Sequence, residues 1–95
     1  MFDNTFLNLE KGMKTSAAKQ SVISHNIANS DTPNFEALEF DEELGRAVKR
    51  ADKKKVVMEE EMAALSENSI RYSAYVKLIT SKLNILRTIA TQGRR

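Results

Sequence analysis

The sequence predicts an all-α fold. It is a long antiparallel helical hairpin, or coiled coil, built from the N- and C-terminal helices with a short extended arm and connector between them. Three observations predict it. Two stretches carry apolar residues at alternating spacings of three and four, the seam of a heptad pattern. Between them stands the only proline, Pro33, in a stretch rich in Asn and hydroxyl side chains. Apolar residues make up 41% of 95 residues, enough for a seam between helices and thin for a globular core. The chain therefore divides into residues 1–29, the first helix; residues 30–55, turn, extended arm and connector; and residues 56–95, the second helix.

Asp3 fits the cap of the first helix, since its carboxylate can accept from the first free backbone amides. With that cap, Phe2 and Leu7 fall at the positions of a hydrophobic staple. The stripe then runs Phe6, Leu9, Met13, Ser16, Gln20, Ile23 and Ile27. Ser16 and Gln20 make its middle polar, and the small Ala17 and Ala18 let another helix approach closely there. Such a stripe must be buried on something, so it reads equally as a core face and as an interface to a partner helix.

Pro33 lacks an amide hydrogen and disfavours helical geometry at Thr32. Asn26 and Asn29 tolerate the left-handed conformation that often ends a helix. Ser30, Asp31 and Thr32 favour a turn by bonding to nearby backbone. The helix is thus expected to stop near Asn29 and to release an extended segment, Asn34 to Phe40, with Phe35, Leu38 and Phe40 as its apolar residues. From Asp41 to Ala51, acids precede Arg46, Lys49 and Arg50 in the order a helix dipole prefers, which fits a short helix interrupted by Gly45. Lys53, Lys54 and Lys55 read as a solvated connector or as a docking patch for an acidic partner.

The second stripe is the strongest periodic signal. It runs Met58, Met62, Leu65, Ser69, Tyr72, Val76, Ile79, Leu83, Leu86 and Ala90, with Ile70, Tyr75, Ile85 and Ile89 widening it. Because the second helix is longer than the first, part of this stripe is expected to stay uncovered within one chain and to associate with other copies or other proteins.

Several function classes lack their signatures. A net charge of +2, spread along the chain, is too small for a surface that tracks nucleic-acid phosphates. No uninterrupted apolar run reaches membrane-spanning length, and the N-terminus lacks a basic region followed by an apolar stretch. The three glycines are scattered, so there is no phosphate loop. With no cysteine and a lone histidine, His25, no metal-ligand set or catalytic base with a partner is visible. Glu59, Glu60 and Glu61 are consecutive and point in different directions around a helix, so they do not make a catalytic pair. No enzyme, cofactor or small-molecule substrate is expected.

His25-Asn26-Ile27-Ala28-Asn29-Ser30-Asp31-Thr32-Pro33-Asn34-Phe35 closely resembles the N-terminal signature of the bacterial flagellar axial proteins, the rod, hook and hook-associated proteins. Met62-Ala63-Ala64-Leu65-Ser66-Glu67-Asn68, then Arg71-Tyr72, Leu78-Ile79 and Lys82-Leu83, resemble the C-terminal helix of the proximal rod members. The resemblance covers roughly residues 4–44 and 56–90. It departs at two places. Relatives usually carry a longer polar segment than Gly45 to Lys55, and an Asn-Val-Asp lead-in where this chain has Lys55-Val56-Val57.

The resemblance implies a structural subunit of the flagellar proximal rod, assembled helically around the export channel. It implies that the subunit connects the MS-ring and export gate with the distal rod and is required for motility. Implied partners are other copies of itself, other rod proteins, the MS-ring junction protein and the export gate. The implied location is the periplasmic rod of the basal body, reached by type III export without a cleaved signal. The residues expected to carry assembly are Phe6, Leu9, Met13, Ile23, Asn26, Ile27, Asn29, Thr32, Pro33 and Phe35, with Met62, Leu65, Tyr72, Val76, Ile79, Leu83 and Leu86. The rival reading is a soluble helical-hairpin adaptor or type III export chaperone.

Overall fold

The structure is a computed structural model, and it describes residues 4–51 and 56–92. The expected Asp3 cap, the Phe2 half of the staple and the Lys53–Lys55 connector lie outside the described residues. The element order is α1 (Asn4–Ala28), β1 (Leu38–Asp41), β2 (Arg46–Lys49) and α2 (Met58–Gln92). The molecule is a rod of 65 × 24 × 15 Å with a radius of gyration of 17.9 Å. A compact domain of this length would have a radius near 12 Å.

α1 and α2 pack antiparallel, as the sequence predicts. Their register is set by three contacts: Asn26 with Glu61, Ser16 with Asn68, and Gly12 with Tyr75. Extending that register places roughly the last ten residues of α2, from Leu83, past Asn4. The shared seam differs from the predicted one on alternate positions. Leu65, Tyr72, Ile79 and Leu86 of the predicted seam are half-buried. Between them stand Glu61, Asn68, Tyr75 and Lys82, while Met62, Val76 and Leu83 lie on the exposed flank. A heptad pattern leaves two choices for the alternate line, one residue apart. Apolar content favours the Met62 line, but α1 offers polar partners and a glycine, which the Glu61 line satisfies. The apolar side chains buried among the described residues are only Val22 and Ala37.

The segment expected as a short helix from Asp41 is instead an antiparallel hairpin, with Leu38 opposite Lys49 and Asp41 opposite Arg46. The cause is local. Asp41 Oδ1 accepts the Leu44 amide at 3.0 Å, and the Asp41 carbonyl accepts the Gly45 amide at 2.7 Å. Gly45 adopts φ +68°, which only glycine takes without strain. An aspartate that caps its own turn competes with the helix that its neighbours would otherwise start.

Gly12 has a packing reason. A Cβ there would lie 2.5 Å from the Tyr75 ring. Alanine normally stabilises a helix interior by about 1 kcal/mol over glycine. We expect Gly12→Ala to lower the melting temperature in the native chain and to raise it in a Tyr75→Ala background. Circular dichroism melts of the four proteins test that reversal.

Candidate functional site

α1 ends in a compact chain reversal. The Asn29 amide and its side-chain Nδ2 both donate to the His25 carbonyl, at 3.1 and 2.9 Å. Ser30 donates to Ile27 O, Thr32 donates to Asn29 O, and the Thr32 hydroxyl donates to Asn29 Oδ1 at 3.2 Å. A second turn follows, closed by the Phe35 amide on the Thr32 carbonyl at 3.2 Å. Pro33 sits at its second position and Asn34, with φ +63°, at its third. Proline followed by a left-handed residue is the signature of a type II turn. The left-handed residue is therefore Asn34, not Asn26 or Asn29 as the helix-stop reading expects. Phe35 comes back against His25, edge to face at 5.5 Å.

The reversal brings β1 alongside the helix it has left. Asn26, fully buried, donates from Nδ2 to the Leu38 carbonyl and accepts the Leu38 amide on Oδ1, both at 2.9 Å. One side-chain amide thus serves both backbone groups of Leu38, as a neighbouring strand would. Nδ2 also lies 3.5 Å from Glu61 Oε2. Glu61 itself is buried, and its Oε1 accepts the Arg50 guanidinium at 2.8 Å. Arg50 closes the circuit by donating its amide to Ala37 O at 2.9 Å and reaching Leu38 O at 3.4 Å. The end of α1, both strands and the start of α2 meet in this one network.

A second polar contact lies ten residues back along α1, where Asn68 Nδ2 donates to the Ser16 carbonyl at 2.6 Å. Both residues are buried. Further out, Lys19 holds Glu42 at the hairpin tip, at 2.7 Å. That hydrogen bond and charge keep the Glu42 carboxyl below the usual carboxylate range, with Lys11 and Arg71 adding to the field.

The residues expected to carry assembly fall into three groups. Asn26 is enclosed in its own chain, and Asn29, Thr32, Pro33 and Phe35 build the turn. Phe6, Leu9, Met13, Ile23 and Ile27 on α1, with Leu65, Tyr72, Ile79 and Leu86 on α2, are half-buried along the helix pair. Met62, Val76 and Leu83 are exposed. Sequence reasoning did not single out Glu61, Arg50 or Asn68 for the junctions they form. The signal was available in part, since Glu61, Asn68, Tyr75 and Lys82 repeat every seven residues. Among the described residues no cluster of His, Asp or Glu could hold a metal ion, and no helix is long and apolar enough to cross a membrane.

The fold is a helical hairpin with this turn at the end of its first helix, and the comparisons assign it to a class of structural proteins. Residues 6–35, which span most of α1 and the turn, match the family described as flagella basal body rod protein. The chain is 30% identical to the flagellar basal body rod protein FlgB of Bacillus subtilis (strain 168), over 99% of this chain and 98% of that protein. The chain belongs to the flagellar basal body rod proteins, and among them it is FlgB-like. That family places it in the flagellar basal body and implies a structural role, not a catalytic one. The alignment runs over 127 positions against 95 residues here, so part of the relative has no counterpart in this chain.

Two expectations follow from the junction. Asn26→Asp sets a carboxylate against the Leu38 carbonyl and Glu61, where Asn26→Ala only leaves those groups unmatched, at about 1–3 kcal/mol each. At pH 7 the aspartate variant should melt lower than the alanine variant. Its charged form is disfavoured by folding, so its pKa is raised in the folded state and the gap should close as pH falls through that range. Glu42 has the opposite sign. Its depressed carboxyl stabilises the tip above the ordinary glutamate range, and that contribution is lost on acidification. Amide exchange at Leu44 and Gly45 should quicken with acid beyond the intrinsic rate change in the native chain, and Glu42→Gln should show the fast behaviour at neutral pH.

Proposed function

We propose that this chain is a structural subunit of the flagellar proximal rod. It assembles helically around the export channel and links the MS-ring and export gate to the distal rod. Its partners are other copies, other rod proteins, the MS-ring junction protein and the export gate. It reaches the periplasmic rod by type III export without a cleaved signal, and swimming requires it. Its mechanism is assembly, and no reaction is assigned to it.

One observation supports this reading beyond family membership. The intrachain seam is held in register by polar contacts, while large apolar side chains on α2 face outward. Ile70 is 70% exposed, Ile85 59% and Leu78 53%. A lone soluble rod gains nothing from that distribution, whereas a subunit that buries these faces on neighbours does.

Leu83→Asp tests the reading. The substitution lies on the exposed flank, so the purified subunit should keep the helical content of the native chain. In the assembly it places an unpaired charge in a buried contact, and swimming should be lost. A strain that swims normally with Leu83→Asp, or with the gene deleted, contradicts the proposal.

A further inference from the structure

Two uncovered lines run along α2. The first is a trough on its outer flank, lined by Met62, Ser66, Ser69, Ile70 and Ser73, with Lys77 at its far end. Toward its N-terminal end the trough is preceded by the exposed acids Glu59 and Glu60. The second line follows the arm side of the helix. There Lys11, Lys19 and Arg71 border a polar groove just beyond the hairpin tip, with Glu42 paired to Lys19 inside it. Farther along, Leu78, Ser81, Ile85 and Ile89 form an apolar groove with Leu9. Arg71, Leu78 and Ile85 are spaced by seven, so the cation and the apolar groove share one line.

Both lines carry their leading charge at the same end of α2: Glu59 and Glu60 before the trough, and Arg71, itself 3.3 Å from Glu67, before the apolar groove. Their side chains are also complementary in size. A shift of twelve residues sets Glu59 against Arg71, Ser66 against Leu78 and Ser73 against Ile85. An acid then meets a cation, and each small serine meets a large aliphatic side chain. The two lines lie roughly a third of a turn apart around the helix, at 3.6 residues per turn. A single partner helix therefore cannot cover both.

We propose that the trough line of one copy docks on the arm-side line of a second, parallel copy, displaced by twelve residues, roughly 18 Å along α2. Each copy then uses one line toward one neighbour and the other line toward the next. A contact between unlike surfaces that does not close continues as an open array and not as a dimer. The proposal rests on the rod reading and adds to it the register and polarity of one contact between copies.

The chain has no cysteine, so an engineered pair reports a single contact. The double variant Ser73→Cys with Ile85→Cys would be expressed at full length in the strain that encodes the chain. Basal bodies would be isolated, oxidised and run without reductant. The expected result is a ladder of dimers, trimers and longer products. It should form on the order of a hundredfold faster than products of either single variant, because the assembled contact raises the effective concentration of one thiol at the other. Ser66→Cys with Leu78→Cys has the same displacement and serves if the first pair is not incorporated. Glu59→Lys should slow the ladder, and adding Arg71→Glu should restore it. Products that stop at the dimer, links formed equally by the single variants, or no link in basal bodies that contain the chain would overturn the contact and leave the rod reading standing. Absence of the native chain from basal bodies would overturn the rod reading itself.

Discussion

The amide of Asn26, bonded to both backbone groups of Leu38, is the constraint on which the rest of the hairpin depends. It fixes where the chain lies after leaving α1, and so where both strands lie. Those strands return Arg50 to Glu61, which anchors the first turns of α2 beside the last turns of α1. An asparagine can do this because it offers a donor and an acceptor side by side, in the geometry of a peptide group. Full burial makes the arrangement demanding, since any replacement leaves backbone groups unmatched away from the surface.

That polar junction also explains the distribution of apolar surface. In most antiparallel helix pairs the apolar line lies inside and the polar line outside. Here Glu61 and Asn68 point inward, because Asn26 and the carbonyl of Ser16 complement them. Met62 and Val76 are rotated outward as a result. Polar groups specify the partner and register of the intrachain pair, and the apolar line is left exposed. Buried polar contacts set register well because a slip by one turn would break every bond at once.

The tip of the arm is held differently from its base. Lys19 and Glu42 form an exposed pair, which water and salt weaken, whereas Arg50 and Glu61 meet in a largely enclosed site. Firm attachment at the base and looser attachment at the tip suit an arm whose end lies beside a surface open to other chains.

The two helices and the stop between them were legible in the sequence, because helical periodicity and proline geometry are local properties. The turn was legible in outline, but Asn34 and not Asn26 or Asn29 takes the left-handed position, since Pro33 fixes the second position of a type II turn and leaves the third to Asn34. The hairpin was hidden because acids followed by bases also suit a helix, and only the Asp41 turn with Gly45 decides between them. Of the network, Asn26 could be named from the signature, but its partners could not. Glu61 looks like one of three solvated acids until the fold brings Arg50 and Asn26 to it. The sequence by itself determined the two helices, their approximate lengths and an apolar stripe longer than one partner helix covers, all of which follow from local chemistry and composition. Only the tertiary structure decided which of two adjacent heptad lines faces inward, because that choice depends on hydrogen-bonding groups far apart in the chain.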